Sequence, residues 1–273
     1  MSQFGIGLGL AGPPALRQNA ARYGPLALDA YPGAVAAYSL RLLRIAHREL
    51  PVVRVRRSSD NAEANFTAAE VTDGTLLAWV GAGNGFVRTW YDQSGADRHL
   101  QQATAADQPK LVDGGSYQNF GSGKPYVDFA DGKNISIADS PLRREWTYIG
   151  AARAINDDSM VVTESRFRVQ ANTSNNNNRI RSDVGFNATT TSGWQVDSVW
   201  GMEILTAPNA SLRRNGNEVA SGDNYTSNPT EGRIGIGRSG GHNSRHPEAL
   251  FYNEILSSDM RAGIEADLIQ YYL

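Results

Sequence analysis

The side chains able to do chemistry in this 273-residue chain are carboxylates, hydroxyls and four histidines; there is no cysteine. Without thiols, disulfides, thiolate nucleophiles and Cys-ligated metal centres are excluded. Glu164 in VVTESRF and Glu203 in WGMEIL lie on or beside expected strands, as do Asp128 in YVDFA and Asp92 in WYDQSG. Polysaccharide-cleaving enzymes set two carboxyl groups about 5–10 Å apart across the scissile bond. Glu164 and Glu203 are the candidates for such a pair; a lone strand carboxylate more often accepts structural hydrogen bonds. Trp194, Trp200, Tyr225 and Arg238 are candidates for a sugar-facing surface, since sugars are held by aromatic faces and planar polar groups. Core packing competes for each of them.

Other motifs carry little. Gly7-Leu8-Gly9-Leu10-Ala11-Gly12 and Gly235-Ile236-Gly237-Arg238-Ser239-Gly240 match a dinucleotide fingerprint. That fingerprint needs a strand before the loop and a helix after it. Pro13-Pro14 follows the first, and the second runs into a loop holding Pro247, so no cofactor is expected. His242 and His246 would share a helical face, but Gly240-Gly241 and Pro247 flank a loop and the Glu of His-Glu-x-x-His is missing. No metal site is expected there. His47 and His99 read as surface or capping residues. Neither a Gly-x-Ser-x-Gly elbow nor a phosphate-binding loop occurs.

Apolar residues form 40% of the chain, enough for a sizeable core. With 26 basic and 28 acidic residues the net charge is -2, giving no field to attract nucleic acid or an anionic membrane. Lysine occurs only at Lys110, Lys124 and Lys133, arginine supplying the rest. No apolar run reaches the roughly 20 residues of a membrane span, and the N-terminus has no basic region typical of a signal peptide. Six Asn-x-Ser/Thr sequons read as by-products of polar loops.

Residues 1–27 are rich in Gly, Ala and Pro and are expected to form an arm, either loose or docked on a partner. The alternation Phe4, Ile6, Leu8, Leu10 suits a strand added to another sheet. Residues 28–273 are expected to form one domain. The stripe Val35, Tyr38, Leu42, Ile45, Ala46 predicts an amphipathic helix over 34–47. Val52–Arg56 alternates as a strand, and Thr75–Val80 reads as a short helix with Thr72 or Asp73 as its cap and Gly81 as its stop. Strands are expected at 85–91, 125–129, 146–152, 160–163, 167–170, 199–205 and 233–237. Asn215-Gly216 predicts a hairpin, and Asp259–Tyr272 a closing helix capped by Ser257 or Ser258. Many short strands without alternating helices predict an all-β antiparallel sandwich.

Two segments are more specific. AYSLRLLRIAHRELPVVRVRRSSDNAEANF from Ala37 and FVRTWYDQSGADRHLQQA from Phe86 together resemble the N-terminal part of the arabinofuranosidase B catalytic domain. Ser59-Asp60 and Tyr91-Asp92-Gln93-Ser94-Gly95 carry the match, with Trp90 packing in the core. The C-terminal third, ASLRRNGNEVAS, RIGIG and ALFYNEILSSDMRAGIEADLIQYY, resembles the concanavalin A-like (laminin-G-like) jelly roll. The arabinofuranosidase domain is itself such a sandwich, so the resemblances imply one fold. The family's adjacent cysteines and Gly-Asn-Ala-Glu-Thr segment are missing; the corresponding stretch is INDDSMVVTESRFRV, where Glu164 stands alone. Such folds often hold calcium in acidic loops, but no ligand spacing marks a site here.

The scaffold without catalytic groups is similar to sandwich domains of phage and phage-like particles. That resemblance implies a virion surface protein, a head fibre, spike or tail fibre, assembled in the host cytoplasm. It would bind host cell-surface polysaccharide without catalysis, attach to other virion proteins through residues 1–27 and form a homo-oligomer. Nucleic acid and membrane insertion are not expected. The alternatives are an arabinofuranosidase-like glycoside hydrolase and a purely structural decoration protein.

Overall fold

The computed structural model describes residues 26–139, 141–143, 145–154, 167–172, 177–182, 187–190, 197–204, 210–222, 233–237 and 243–273. The first strands are β1 Ala36–Ser39, β2 Pro51–Arg57, β3 Glu63–Thr67, β4 Gly85–Trp90, β5 Leu100–Gln101 and β6 Lys110–Asp113. Then come β7 Ser116–Tyr117, β8 Val127–Asp128, β9 Asn134–Ser136, β10 Trp146–Ala154, β11 Phe167–Asn172 and β12 Asn177–Ser182. The last are β13 Asn187–Thr190, β14 Ser198–Ile204, β15 Ala210–Arg214, β16 Asn217–Gly222, β17 Gly235–Gly237 and β18 Ser244–Tyr252. Helix α1 Ala27–Ala30 precedes β1, α2 Ala68–Thr72 and α3 Thr75–Val80 lie between β3 and β4, and α4 Ser258–Tyr272 closes the chain.

Fifteen strands join in one network whose main path is β16-β15-β14-β10-β18-β8-β6-β4-β5-β9-β17, while β11, β12 and β13 make a small separate sheet. Neighbouring strands pair antiparallel throughout β10, β14 and β18, and β1 adds to β18 from Ala36 opposite Phe251 to Ser39 opposite Glu248. This is an all-β antiparallel sandwich, as the strand pattern and turn signals imply.

Strand alternation sorts the side chains into two cores. Tyr38, Tyr148, Trp200, Met202, Ala249 and Phe251 face the main core, where they meet Val53, Val87, Trp90 and Ile135 from the first half of the chain. Tyr38 and Trp90 pack at a tilt of 48° with ring centres 6.0 Å apart, and Tyr148 and Phe251 at 46° and 5.3 Å. The residues between them, Ala37, Ile149, Val199, Leu250 and Tyr252, face the other way, onto Ile264, Leu268 and Tyr272 of α4. Both faces of these strands are therefore dry. Burying an aliphatic or aromatic side chain on either contributes about 1.5–3 kcal/mol.

That double burial explains one departure from the sequence pattern. The segment expected as a helix over 34–47 is β1, a loop and a single 3-10 turn at Ile45–His47. Ala36 and Tyr38 point into the main core and Ala37 into the second. Apolar residues on both faces of a short strand, followed by more in a buried loop, mimic a helical stripe. Pairing with β18 decides the outcome, since tertiary contacts override local propensity.

Other elements follow the sequence closely. Thr75–Val80 is helical and Gly81 ends it, but its cap position is Gly74 in a left-handed conformation rather than Thr72 or Asp73; the Asp73 carboxylate still accepts from Thr75 N–H at 2.9 Å. Ser257 caps α4 by accepting from Met260 N–H. Asn215 and Gly216 both have positive φ, 48° and 81°, the pair a two-residue hairpin requires between β15 and β16. The α2 helix starts with a reciprocal capping box between Thr67 and Glu70, a Thr-x-x-Glu signal present in the sequence. The expected strand at 160–163 lies outside the described residues, as do residues 1–25; Ala27 and Leu28 are already buried in the second core.

Candidate functional site

Three groups of polar residues are placed by this frame: a charged layer under α4, a hydrogen-bonded staple after β4, and an open cleft beside β9.

The charged layer lies on the face that α4 covers. Glu248 is fully buried and accepts from Arg41 Nε at 2.7 Å and Nη2 at 2.9 Å, from Ser39 Oγ at 2.8 Å and from the Tyr272 hydroxyl at 3.0 Å. Arg41 also donates to Asp267. Glu203 accepts from Arg261 on α4 and from Ser211 Oγ at 3.2 Å. Glu265 on α4 accepts from Arg213 Nε at 3.0 Å, and Arg213 also donates to the Gly216 carbonyl. Gly201 makes room for this last pair: a Cβ there would come within 2.7 Å of the Glu265 carboxylate. Burial, and then the Glu248 charge, holds the Tyr272 hydroxyl well above its ordinary pKa, so it stays a donor. A buried carboxylate ringed by donors is a structural ion, stable as a pair and costly to break.

The staple is the Tyr91–Gly95 block. Asp92 is buried and accepts from Ala37 N–H (2.8 Å), Ser94 N–H (2.8 Å), Ser94 Oγ (2.7 Å) and Arg98 N–H (3.1 Å). The Gln93 side chain accepts from Leu43 N–H at 2.9 Å and donates to the carbonyls of Ser39 and Arg41 at 3.1 and 2.9 Å. Together they tie β1 and the loop after it to the end of β4. Trp90 is fully buried in the main core, and Tyr91 donates to Asn65 at 3.0 Å. Ser59 and Asp60 sit in the turn between β2 and β3, where Asp60 accepts from Arg57 twice and from Ala62 N–H. The Arg57 hydrogen bonds, with that backbone bond, hold the Asp60 carboxyl below its usual range.

The cleft, of about 540 Å³, opens between the 96–101 segment and β9 and has Asp97, Arg98, His99, Gln101, Ser136 and Asp139 among its lining residues. The staple shapes one wall: Asp92 N–H donates to His99 Nδ1 at 3.2 Å while its carboxylate takes Arg98 N–H. Arg98 also donates to the Val35 carbonyl at 2.8 Å and to Asp139 at 3.2 Å. A second cavity of about 450 Å³ lies by the end of α4, but there Arg41 and Lys124 already cover the Tyr271 ring, 4.4 and 4.5 Å from its centre.

Of the residues singled out in the sequence, Glu164, Trp194, Tyr225, Arg238 and His242 lie outside the described residues. Glu203 is the structural ion described above. Trp200 is buried in the main core with the Arg214 guanidinium 5.6 Å from its ring centre, so its faces meet protein. Asp128, also buried, is raised in pKa by burial, which outweighs the nearby Arg245 and Lys110. His47 is buried against the Pro51 carbonyl rather than standing on a helix surface, and its pKa is lowered by that burial. His99 caps a backbone N–H. His246 and Pro247 lie in β18 rather than in the expected loop; His246 is fully buried against Phe129, its Nε2 3.0 Å from Ser244 Oγ, and burial pushes its pKa down to about 3. Among the described residues no cluster of three or more His, Asp or Glu is arranged to hold a metal ion. Sequence reasoning does not single out the cleft residues, apart from His99; their signal is the polar run Asp97-Arg98-His99 directly after the staple.

No protein-family model and no curated protein sequence matches the chain. Its fold matches solved structures. A GH54 α-L-arabinofuranosidase soaked with a cyclic sulfate inhibitor superposes with a TM-score of 0.66 at 13% identity, over 88% of this chain and 63% of that one. An arabinofuranosidase complexed with arabinofuranosyl-α-1,2-xylobiose gives 0.67 at 13% identity, over 90% of this chain and 64% of that one. The chain therefore spans less than two thirds of these proteins' length. The likeness establishes the arabinofuranosidase-type β-sandwich, and at this identity the fold alone.

Proposed function

We propose that this chain is a non-catalytic, lectin-like sandwich that binds polysaccharide, displayed as a fibre or spike protein on a phage or phage-like particle. The observation that carries the non-catalytic part is the state of four of its buried carboxylates; a fifth, Asp128, has no partner for its Oδ1 and is kept towards its neutral form by burial. Glu203, Glu248 and Glu265 are each held by an arginine, and Asp92 accepts four hydrogen bonds from its own loop and from β1. A hydrolase needs two carboxyl groups open to one substrate. The polysaccharide part is supported by the sandwich shared with sugar-cleaving enzymes and by the open polar cleft. Display on a particle, with residues 1–27 as the attachment arm, is supported by the resemblance of the bare scaffold to particle proteins; repeated copies would turn weak single sites into firm adhesion.

Affinity electrophoresis through gels containing host-surface polysaccharides tests the reading. Retarded migration without loss of polymer is expected. Free migration in every gel, with the protein present in purified particles, would leave the structural-decoration role instead. A second reading, glycoside hydrolysis, is favoured by the fold likeness to arabinofuranosidases, with Glu164 as the remaining candidate acid. It requires turnover that Glu164→Gln abolishes.

A further inference from the structure

We infer that the cleft between residues 96–101 and β9 is the binding site, and that it takes a neutral, hydroxyl-rich sugar unit; the assignment rests on the polysaccharide reading above. The first support is preorganisation. Arg98 is fixed through its backbone to Asp92 and through its guanidinium to Val35 and Asp139, while the Tyr38 hydroxyl donates to its carbonyl. His99 accepts at Nδ1, which leaves its ring N–H at Nε2 as a donor. Asp97, between the staple and Arg98, has a φ of 56°, a conformation Asp tolerates better than most residues and one that recurs at ligand sites. Walls held this way lose little entropy when a ligand docks.

The second support is that the remaining groups are open. Among the described residues, the Asp97 carboxylate, the Gln101 amide and the Ser136 hydroxyl have no hydrogen-bond partner, although all three line the cleft. Gln101 and Ser136 are direct partners across the β5–β9 bridge, which puts their side chains side by side. A carboxylate accepts from hydroxyls, an imidazole N–H donates to them, and an amide does both. Such a set fits adjacent hydroxyls of a sugar ring, and Ala96 and Ala138 on the lining offer small apolar contacts for its C–H face.

Charge decides the class of sugar. Arg98 is paired with Asp139, and Arg233 on the lining donates to the Ala138 carbonyl at 3.3 Å. The two guanidiniums and two carboxylates of the lining (Arg98, Arg233, Asp97, Asp139) therefore balance, so the cleft has no net field for an anion, and among the described residues the carboxylate left without a partner is that of Asp97. A carboxylated or sulfated sugar placed against it would be repelled, whereas a neutral one has hydroxyl protons to donate.

The test is binding of the purified chain to arrayed neutral polymers (arabinan, xylan, galactan, dextran) and anionic ones (polygalacturonate, dextran sulfate), repeated with Asp97→Asn and with Gln101→Ala/Ser136→Ala. Thermal melts confirm that each variant is folded, and Asn accepts the left-handed backbone at 97. The expected result is binding to a neutral polymer that falls tenfold or more in both variants at unchanged melting temperature. Neutral-polymer binding that survives both substitutions would overturn the cleft while leaving the polysaccharide reading intact. Preference for the anionic polymers would overturn the ligand class. Binding to none of them would remove the reading on which the inference rests.

Discussion

The layer under α4 and the cleft beside β9 are built from the same residue types and use them in opposite ways. Under the helix, carboxylate meets guanidinium, and Ser39, Ser211 and Tyr272 add donors around the acidic groups. In the cleft one such pair, Arg98 with Asp139, fixes a wall, and among the described residues a carboxylate, an amide and a hydroxyl are left without partners. The difference follows from water. A charge taken out of water must be compensated within the fold, so the covered face has paired ions. At an open rim solvent satisfies the unpaired groups until a ligand replaces it. Charge density alone therefore does not distinguish the two regions; the presence of unpaired polar groups does.

The sharpest way to break the comparison is to remove one partner on each side. Glu248→Ala leaves Arg41 beneath the helix with only Asp267, and a loss of about 3 kcal/mol is expected in urea denaturation. Asp97→Asn, which keeps a residue suited to the left-handed backbone at the exposed rim, should stay within about 0.5 kcal/mol of wild type. Equal losses in the two variants would mean that the cleft is as structural as the layer.

A pH series sharpens the same contrast. Unfolded, the His246 imidazole takes up a proton near pH 6.5; folded, only near 3. The unfolded chain binds more protons across that window, so stability falls as pH drops through it, by up to about 1.4 kcal/mol per unit from this group. Buried His47, shifted in the same direction, adds to the trend. His246→Phe should show a shallower fall between pH 6.5 and 4 than wild type; identical slopes would mean that the buried imidazole does not stay neutral. Gly216→Ala forces a side chain into a φ of 81° and should cost about 1 kcal/mol, measured by thermal melt, with no change in polysaccharide binding.

Elements set by neighbours along the chain are legible in the residues themselves. The Asn215-Gly216 hairpin, the Thr75–Val80 helix and the Ser257 cap each depend on a few consecutive residues, and each forms where those residues place it. The segment over 34–47 departs from its helical pattern because its conformation is set by Glu248–Phe251 of β18 and by Asp92 and Gln93, all distant in sequence. Glu203 presents the same difficulty: its strand is evident, but the helix and Arg261 that cover its carboxylate come more than fifty residues later. The cleft is assembled from residues between 96 and 233, polar loop residues with no periodicity. Only its fixed wall leaves a trace, in the Tyr91–Gly95 block and the run that follows it.

The central claim, a sugar-enzyme scaffold that holds its ligand without cutting it, is met most directly by counting reducing ends. A polysaccharide that retards the protein is incubated with it for days and assayed for newly released ends. No ends above the protein-free control are expected while binding persists. Steady release of ends, abolished by Glu164→Gln, would contradict it.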